Sequence, residues 1–306
     1  MRLFHLLASH DPARPTGVNR FSGYFKRAFP EVLNVTPGTV GAIEWRDGDV
    51  VVTDNHLSLL VPDSVRTIVV HHGCAATHYE RDFAWRNAET LAMVNAQREM
   101  LSRPNRFFVA PSEWVADEFG KIAGWTRDAK RRVDRKGYEP TIIPHFVEFI
   151  GIAGPGQLPG VKPVIIGDWR TLNKGSGVID KYREECPQYE FRQLDFDPTN
   201  DAARQEFYRS ADAYLCLSLS EGAPYSVADA EAASLPIVST ICGNVCEFPQ
   251  DDFYIIQNRF SSEHGVEEGV NAIRAALENG RRTPSFYESW DFTKWQAAWR
   301  RVIHGK

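Results

Sequence analysis

No apolar run in this 306-residue chain approaches the ~18 residues needed to cross a bilayer as a helix, so a membrane-spanning protein is not expected. The opening stretch, Met1 to Asp11, has neither a basic n-region nor a long enough apolar core for a secretory signal; a cytoplasmic address is the expectation. Cysteine is sparse. Cys74, Cys186, Cys216, Cys242 and Cys246 are odd in number and widely spread, which reads as reduced thiols and excludes a disulfide-stapled scaffold. Cys242 and Cys246 have a spacing a metal could use, but no nearby Cys or His pair completes four ligands, and no zinc site is expected. An excess of basic charge is also lacking: 35 Lys and Arg against 40 Asp and Glu leave a net −5, so the whole chain is no polycation built to coat nucleic acid or anionic lipid. Internal repeats and low-complexity tracts are absent, so any kinship between the two halves is one of architecture.

What is present is the composition of a folded globular protein, 43% hydrophobic and 25% charged, with length for two ordinary domains. Short apolar, β-branched-rich runs recur between helical patterns: RLFHLLA, GDVVVTD, RTIVVHH, RFFVAP and PTIIPHF in the first half, KPVIIGD, YEFRQL, AYLCLSLS and LPIVST in the second. Buried strands alternating with helices predict parallel sheets with both faces covered. The helices are expected at Val18 to Phe29, Phe83 to Leu101, Glu113 to Ala123, Asp201 to Ser210, Ser226 to Ser234 and Gly265 to Glu278, with Ser112 as an N-cap and Gly124 as a stop. Gly151 to Gly160 holds four Gly and two Pro and is the expected domain boundary. Near the end, Phe292, Trp295, Trp299 and Val302 form an apolar stripe at helical spacing that must pack on something.

The most informative stretch is LSLSEGAPYSVADAEAASLPIVST. An apolar strand ends at a Ser-Glu-Gly turn, and an Ala-rich helix begins about four residues later. Backbone N–H groups of Gly222, Ala223, Pro224 (which lacks its own), Tyr225 and Ser226 lie where a helix dipole favours an anion such as a diphosphate. Glu221 before the helix and Asp229 within it can flank one bound molecule, and carboxylates accept hydrogen bonds from sugar hydroxyls. Taken alone, such a pair is a turn acid and a helix-surface acid; the strand, turn, helix and following Pro-Ile-Val strand make it a candidate site.

These residues resemble the retaining GT-B glycosyltransferases of family four, also called glycosyl transferases group 1, whose hallmark is EGxPxxxxEAxAxxxPIV. Glu221, Gly222, Pro224, Ala230, Ala232, Pro236, Ile237 and Val238 are in register, with Asp229 where a second Glu belongs. Further pieces fall in order: Thr16 to Phe21 is similar to the glycine-rich loop after the first strand, through Gly17; APSEWVADEFGKIAG and IIPHFVE resemble a serine-led helix and a strand end; VIIGDWRTLNKGSGVI resembles the strand and loop whose Arg and Lys meet the diphosphate, through Lys174 and, two positions late, Arg170. STICGNVCEF and SWDFTKWQAAW match later segments.

The resemblance implies an α/β, GT-B fold: two Rossmann-like domains with parallel sheets facing across a cleft and a C-terminal helix crossing back to the first. The expected domains are an acceptor domain over 1–150, a nucleotide-sugar donor domain over 151–285 and the returning helix over 286–306. The implied activity is transfer of a sugar from a UDP- or GDP-sugar to an unidentified acceptor with retention, with no obligatory metal and no cofactor. Glu221 would lie against the donor sugar, Asp229 would grip the ribose, and Lys174, Arg170 and the amides of Gly222 to Ser226 would stabilise the leaving diphosphate. A His after the strand TIVV would touch the donor sugar; of His71 and His72, one should face a ligand crevice, and His72 is favoured. Asp195-Phe196-Asp197 imitates a DxD metal motif but reads as a loop feature.

Lys121 to Lys136 carries seven basic and two acidic residues, net +5, leaving −10 elsewhere. Such a run is ordinarily a solvated face; Lys130, Arg131, Arg132, Arg135 and Lys136 are the candidate patch for a polyanionic acceptor. Glycan or lipid-linked precursors are the favoured acceptors, a modified DNA base is the less favoured one, and peripheral contact with the inner membrane face is compatible with the patch. The alternatives are a nucleotide-sugar epimerase of the same plan and a non-catalytic nucleotide-sugar-binding relative, the latter suggested by Asp229, Asp168 and the single glycine of the first loop.

Overall fold

In the computed structural model, which describes residues 1–10, 16–81, 85–123, 138–151, 161–195, 200–248, 253–256, 263–280 and 285–305, the chain divides into two units. Met1–Phe146 with Phe292–Lys306 form the first and Val147–Asp291 the second. Of the Gly- and Pro-rich stretch expected to separate the halves, residues 152–160 lie outside the described residues, as do Gly124 and the candidate patch Lys130, Arg131, Arg132, Arg135 and Lys136.

The first unit opens with β1 (Leu3–Leu6), α1 (Gly17–Ala28), β2 (Leu33–Val35), β3 (Val50–Asp54), β4 (Arg66–Val70), α2 (Ala75–Arg81), α3 (Ala88–Ser102), β5 (Arg106–Ala110), α4 (Glu113–Ile122) and β6 (Thr141–Ile142). Its six strands are all parallel in the order β2-β1-β3-β4-β5-β6. The second unit runs β7 (Val164–Gly167), α5 (Ile179–Glu185), β8 (Glu190–Gln193), α6 (Asp201–Arg209), β9 (Ala213–Cys216), α7 (Tyr225–Ala232), β10 (Ile237–Thr240), β11 (Phe253–Ile256), α8 (Glu263–Asn279) and α9 (Phe286–Ser289). Its five strands are parallel in the order β11-β10-β9-β7-β8. Counted from their own first strands, both sheets have the order 2-1-3-4-5, the first adding a sixth at the edge. Each is therefore doubly wound, and its strand order reverses once, between β1 and β3 in one unit and between β7 and β9 in the other.

Central strands are apolar on both faces because helices cover both: Val51, Val52, Ile68, Val69, Leu215, Ile237 and Val238 are fully buried. Helix starts follow side-chain caps. Thr16 accepts from Asn19 N, Asn87 from Thr90 N and Ser112 from Val115 N.

The last helix, α10 (Phe292–His304), belongs to the first unit. Trp295, Trp299 and Ile303 are buried, and the two indoles pack against Phe21 of α1, with Trp299 edge-on to Phe25. Gln296 Nε2 donates to the Ala28 carbonyl at 2.6 Å, and Arg66 Nη2 donates at 2.9 Å to the Val302 carbonyl, which also accepts from Gly305 N in the last turn of α10. Among the described residues no helix is long and apolar enough to cross a membrane.

Candidate functional site

In open α/β sheets, ligands bind beyond the carboxyl ends of the strands where the order reverses. In the second unit that point lies between β7 and β9. The segments leaving those strands are Asp168 to Gly175 and Leu217 to Pro224, and they hold Arg170, Lys174, Glu221, Gly222, Ala223 and Pro224 among the residues singled out from the sequence.

One backbone and one side-chain hydrogen bond lock the two segments together. Leu219 N donates to the Asn173 carbonyl at 2.8 Å, and Asn173 Nδ2 to the Ser220 carbonyl at 3.3 Å. Gly175 turns the chain at φ 96°, and a Cβ there would stand 2.6 Å from Leu217 Cβ; only glycine allows this approach. The result sets Lys174 Nζ in a hydrogen-bonded ion pair with Glu221 Oε1, with Asp168 Oδ2 3.8 Å from the same ammonium. Burial alone would lower the Lys174 pKa, but Glu221, by charge and hydrogen bond, and Asp168, by charge, more than reverse it. Lys174 is a permanent cation across the physiological range.

Arg170 forms a two-pronged pair with Asp168, Nε to Oδ1 at 2.7 Å and Nη2 to Oδ2 at 3.0 Å, while its own side chain stays about half exposed. Burial would raise the Asp168 carboxyl; the Arg170 hydrogen bonds and the Lys174 charge outweigh it and lower the pKa. Two cations and two carboxylates thus meet at the edge of β7 and β9.

Beyond them, α7 starts at Tyr225 after Pro224, and no side chain caps it. The turn before the helix is fixed from below: Asn244 N donates to the Gly222 carbonyl at 3.0 Å, and Gly243, at φ 56°, lets the backbone approach so closely that a Cβ would stand 2.4 Å from that oxygen. Tyr208 of α6 donates to the Ser226 carbonyl at 3.1 Å. Gly222, Ala223, Pro224, Tyr225 and Ser226 therefore form a positioned helix entry beside Lys174, with the dipole and amide geometry that suit an anion.

Asp229 lies within α7 and is buried, its Oδ1 3.3 Å from Nη1 of the equally buried Arg204 on α6. Glu231 is also buried and accepts from Ser285 Oγ and from Phe286 N. Arg204 was not singled out from the sequence, where a helical Arg reads as a surface charge.

Gly17 and His72 belong to the first unit. Gly17 begins α1, and residues 11–15 before it lie outside the described residues. His71 and His72, beyond β4, diverge as neighbours on a strand must. His71 is buried, stacked on Phe119 at 3.6 Å between ring centroids, with Nδ1 3.3 Å from Asn55 Oδ1, and burial lowers its pKa to about 3. His72 is partly exposed, stacked with His145 and edge-on to Phe21, and burial of its ring lowers its pKa to about 4. Cys242 is buried with its sulfur 3.9 Å from that of Cys216, whereas Cys246 is exposed. Of the Asp-Phe-Asp run, residues 196 and 197 lie outside the described residues.

Two doubly wound parallel units, the second with an anion-suited helix entry at its switch point, define the GT-B fold. Residues 156–289, within the second unit, match the family described as glycosyl transferases group 1. No curated protein matches the chain in sequence. Among solved structures, HepE from Anabaena in complex with UDP and glucose is 11% identical with a TM-score of 0.70, covering 100% of both chains. Sucrose-phosphate synthase from Thermosynechococcus elongatus is 12% identical with a TM-score of 0.65, covering 100% of this chain and 97% of its own. The lipopolysaccharide outer core galactosyltransferase WaaB in its apo form is 9% identical with a TM-score of 0.60, covering 99% of both.

Proposed function

We propose that the chain transfers a sugar from a nucleoside diphosphate donor, a UDP- or GDP-sugar, to an acceptor hydroxyl with retention of configuration. The observation that carries the reading is the junction of Lys174, Glu221 and the uncapped entry of α7 at the switch point of the second sheet. As the glycosidic bond breaks, charge builds on the leaving diphosphate. Lys174, Arg170 and the α7 entry amides stabilise that charge electrostatically, which is where preorganised cations and dipoles act most strongly. The leaving phosphate itself takes the acceptor proton, so no enzyme nucleophile and no divalent metal is called upon. Glu221, drawn to Lys174 here, turns its carboxylate to donor-sugar hydroxyls once the diphosphate engages the ammonium.

The family match over residues 156–289 and the fold shared with HepE, whose structure holds UDP and glucose, support this reading. The roles of Gly17 and His72 rest on the resemblance of the surrounding segments, and a glycan or lipid-linked precursor is the acceptor class it favours. A nucleotide-sugar panel scored by release of free nucleotide tests the proposal. Lys174→Ala and Glu221→Ala are each expected to lower release by about 100-fold or more while the thermal transition persists. Undiminished release in both sinks it, and donor binding without turnover on any acceptor would mark a binding protein instead.

A further inference from the structure

We propose that Cys216 and Cys242 form an oxidation site, where a hydroperoxide joins the two thiols in a disulfide that displaces the turn carrying Glu221 from the loop carrying Lys174. Cys216 ends β9, and Cys242 lies two residues beyond the neighbouring strand β10. Both are buried, and their sulfurs stand 3.9 Å apart. Buried thiols ordinarily serve as small apolar side chains. A bonded pair of sulfurs lies about 2.05 Å apart, so these two need to close by about 1.9 Å.

Each thiol is one residue from a close contact that builds the site. Leu217 follows Cys216, and its Cβ would stand 2.6 Å from a Cβ on Gly175, next to Lys174. Gly243 follows Cys242, and a Cβ there would stand 2.4 Å from the carbonyl oxygen of Gly222, next to Glu221; Asn244 N donates to that same oxygen at 3.0 Å. The two strand ends are themselves tied, Thr240 Oγ1 donating to the Ser218 carbonyl at 2.6 Å. Close-packed contacts leave no slack, so drawing the sulfurs together shifts Leu217 or Gly243 and with it one wall of the site.

The hydrogen bond from the Cys242 thiol outweighs burial and the Glu221 charge and, with the Ser218 backbone and the Lys174 charge, lowers the pKa of Cys216. Cys216 is therefore the attacking thiolate. It attacks one peroxide oxygen: an S–O bond forms, the O–O bond breaks, and the departing hydroxide takes the Cys242 proton to become water. The Cys242 thiolate then attacks the sulfenic sulfur: the S–S bond forms, the S–O bond breaks, and hydroxide leaves with the proton that Cys216 gave up, as a second water. Two electrons pass from the sulfurs to the peroxide.

The test treats the full-length chain with hydrogen peroxide, then denatures, alkylates and maps it by mass spectrometry. Cys216 and Cys242 are expected linked to each other; free thiols at both, or a link from either to Cys246, the exposed cysteine, overturn the proposal. Hydrogen exchange reads the turn. Residues 217–226 are expected to exchange about tenfold faster after oxidation and to recover with dithiothreitol, whereas unchanged exchange overturns the displacement. Cys216→Ala and Cys242→Ala cannot form the bond, and peroxide is expected to leave the turn of each unchanged; the same rise in either variant overturns the assignment. Oxidation is also expected to weaken UDP or GDP binding by about tenfold or more, and this arm alone rests on the donor reading above. If the reduced chain binds neither nucleotide, the donor reading fails while mapping and exchange still decide the disulfide; if binding is equal in both states, the switch falls and the donor reading stands.

Discussion

Asp54 ends β3 at the switch point of the first sheet, with Oδ1 buried and without a hydrogen-bond partner among the described residues. Burial raises its pKa from 3.8 to about 7. A carboxyl whose folded pKa is raised contributes stability that is fully present below about pH 4 and is lost as pH rises through 7. Asp54→Asn keeps the neutral form at every pH, so it is expected to raise the thermal midpoint at pH 8 relative to the native chain and to leave it nearly unchanged at pH 4. Melting curves at the two pH values check this, and an equal shift at both would mean that the carboxyl is not the cause. His71 and His72 act in the opposite sense. Their folded pKa values, about 3 and about 4, lie below the ordinary 6.5, so their contribution is present above 6.5 and is lost as pH falls toward 4. With Asp54 replaced, the remaining profile should therefore fall more steeply between pH 6.5 and 4 than it does in the native chain.

At the scale of elements, the site is made by turns. Gly175→Ala places a Cβ at φ 96° and 2.6 Å from Leu217 Cβ, and is expected to cost more than about 1 kcal/mol and to weaken UDP binding by displacing Lys174. Gly177, two residues on, meets nothing closer than 3.6 Å, and Gly177→Ala serves as a near-neutral control in urea melts. The same contrast explains what could be read before folding. Nine strands were legible: seven are interior strands that are largely apolar because both faces are covered, as in Val50–Val52 and Ile237–Val238, and the edge strands β6 and β8 fall within runs that carry apolar or aromatic residues. Leu33–Val35 and Phe253–Ile256 did not, since each is an edge strand paired on one side, short or partly exposed, and a periodicity argument finds little in them. The short helices α2, α5 and α9 escaped for want of two full turns of pattern. Lys174 and Glu221 were legible singly, but the contact between them is set by Asn173, Leu219 and Ser220 across more than forty residues of chain. The buried setting of Arg204 exists only once α6 and α7 are packed.

At the scale of the molecule, the first unit is closed by a helix from the other end of the chain. Five aromatic side chains converge there: Phe21 and Phe25 from α1, Phe146 after β6, and Trp295 and Trp299 from α10, with ring centroids 5.3 to 6.2 Å apart in the contacts that link the indoles to the rest and to each other. Cutting one such indole back to Ala typically costs about 3–5 kcal/mol, and ending the chain after Asp291 removes both along with Ile303. That loss is comparable to the whole stability of an ordinary domain, about 5–15 kcal/mol. The second unit keeps its own core around Val164, Ile166, Tyr214, Val227 and Ile237. Hydrogen exchange on a chain truncated after Asp291 is therefore expected to lose protection across Leu3–Leu6, Val50–Asp54 and Arg66–Val70 while retaining it across Val164–Gly167 and Ala213–Cys216. Trp299→Ala should move in the same direction with a smaller loss. Protection that survives truncation in the strands of the first unit would show that α10 covers that core without being needed to hold it.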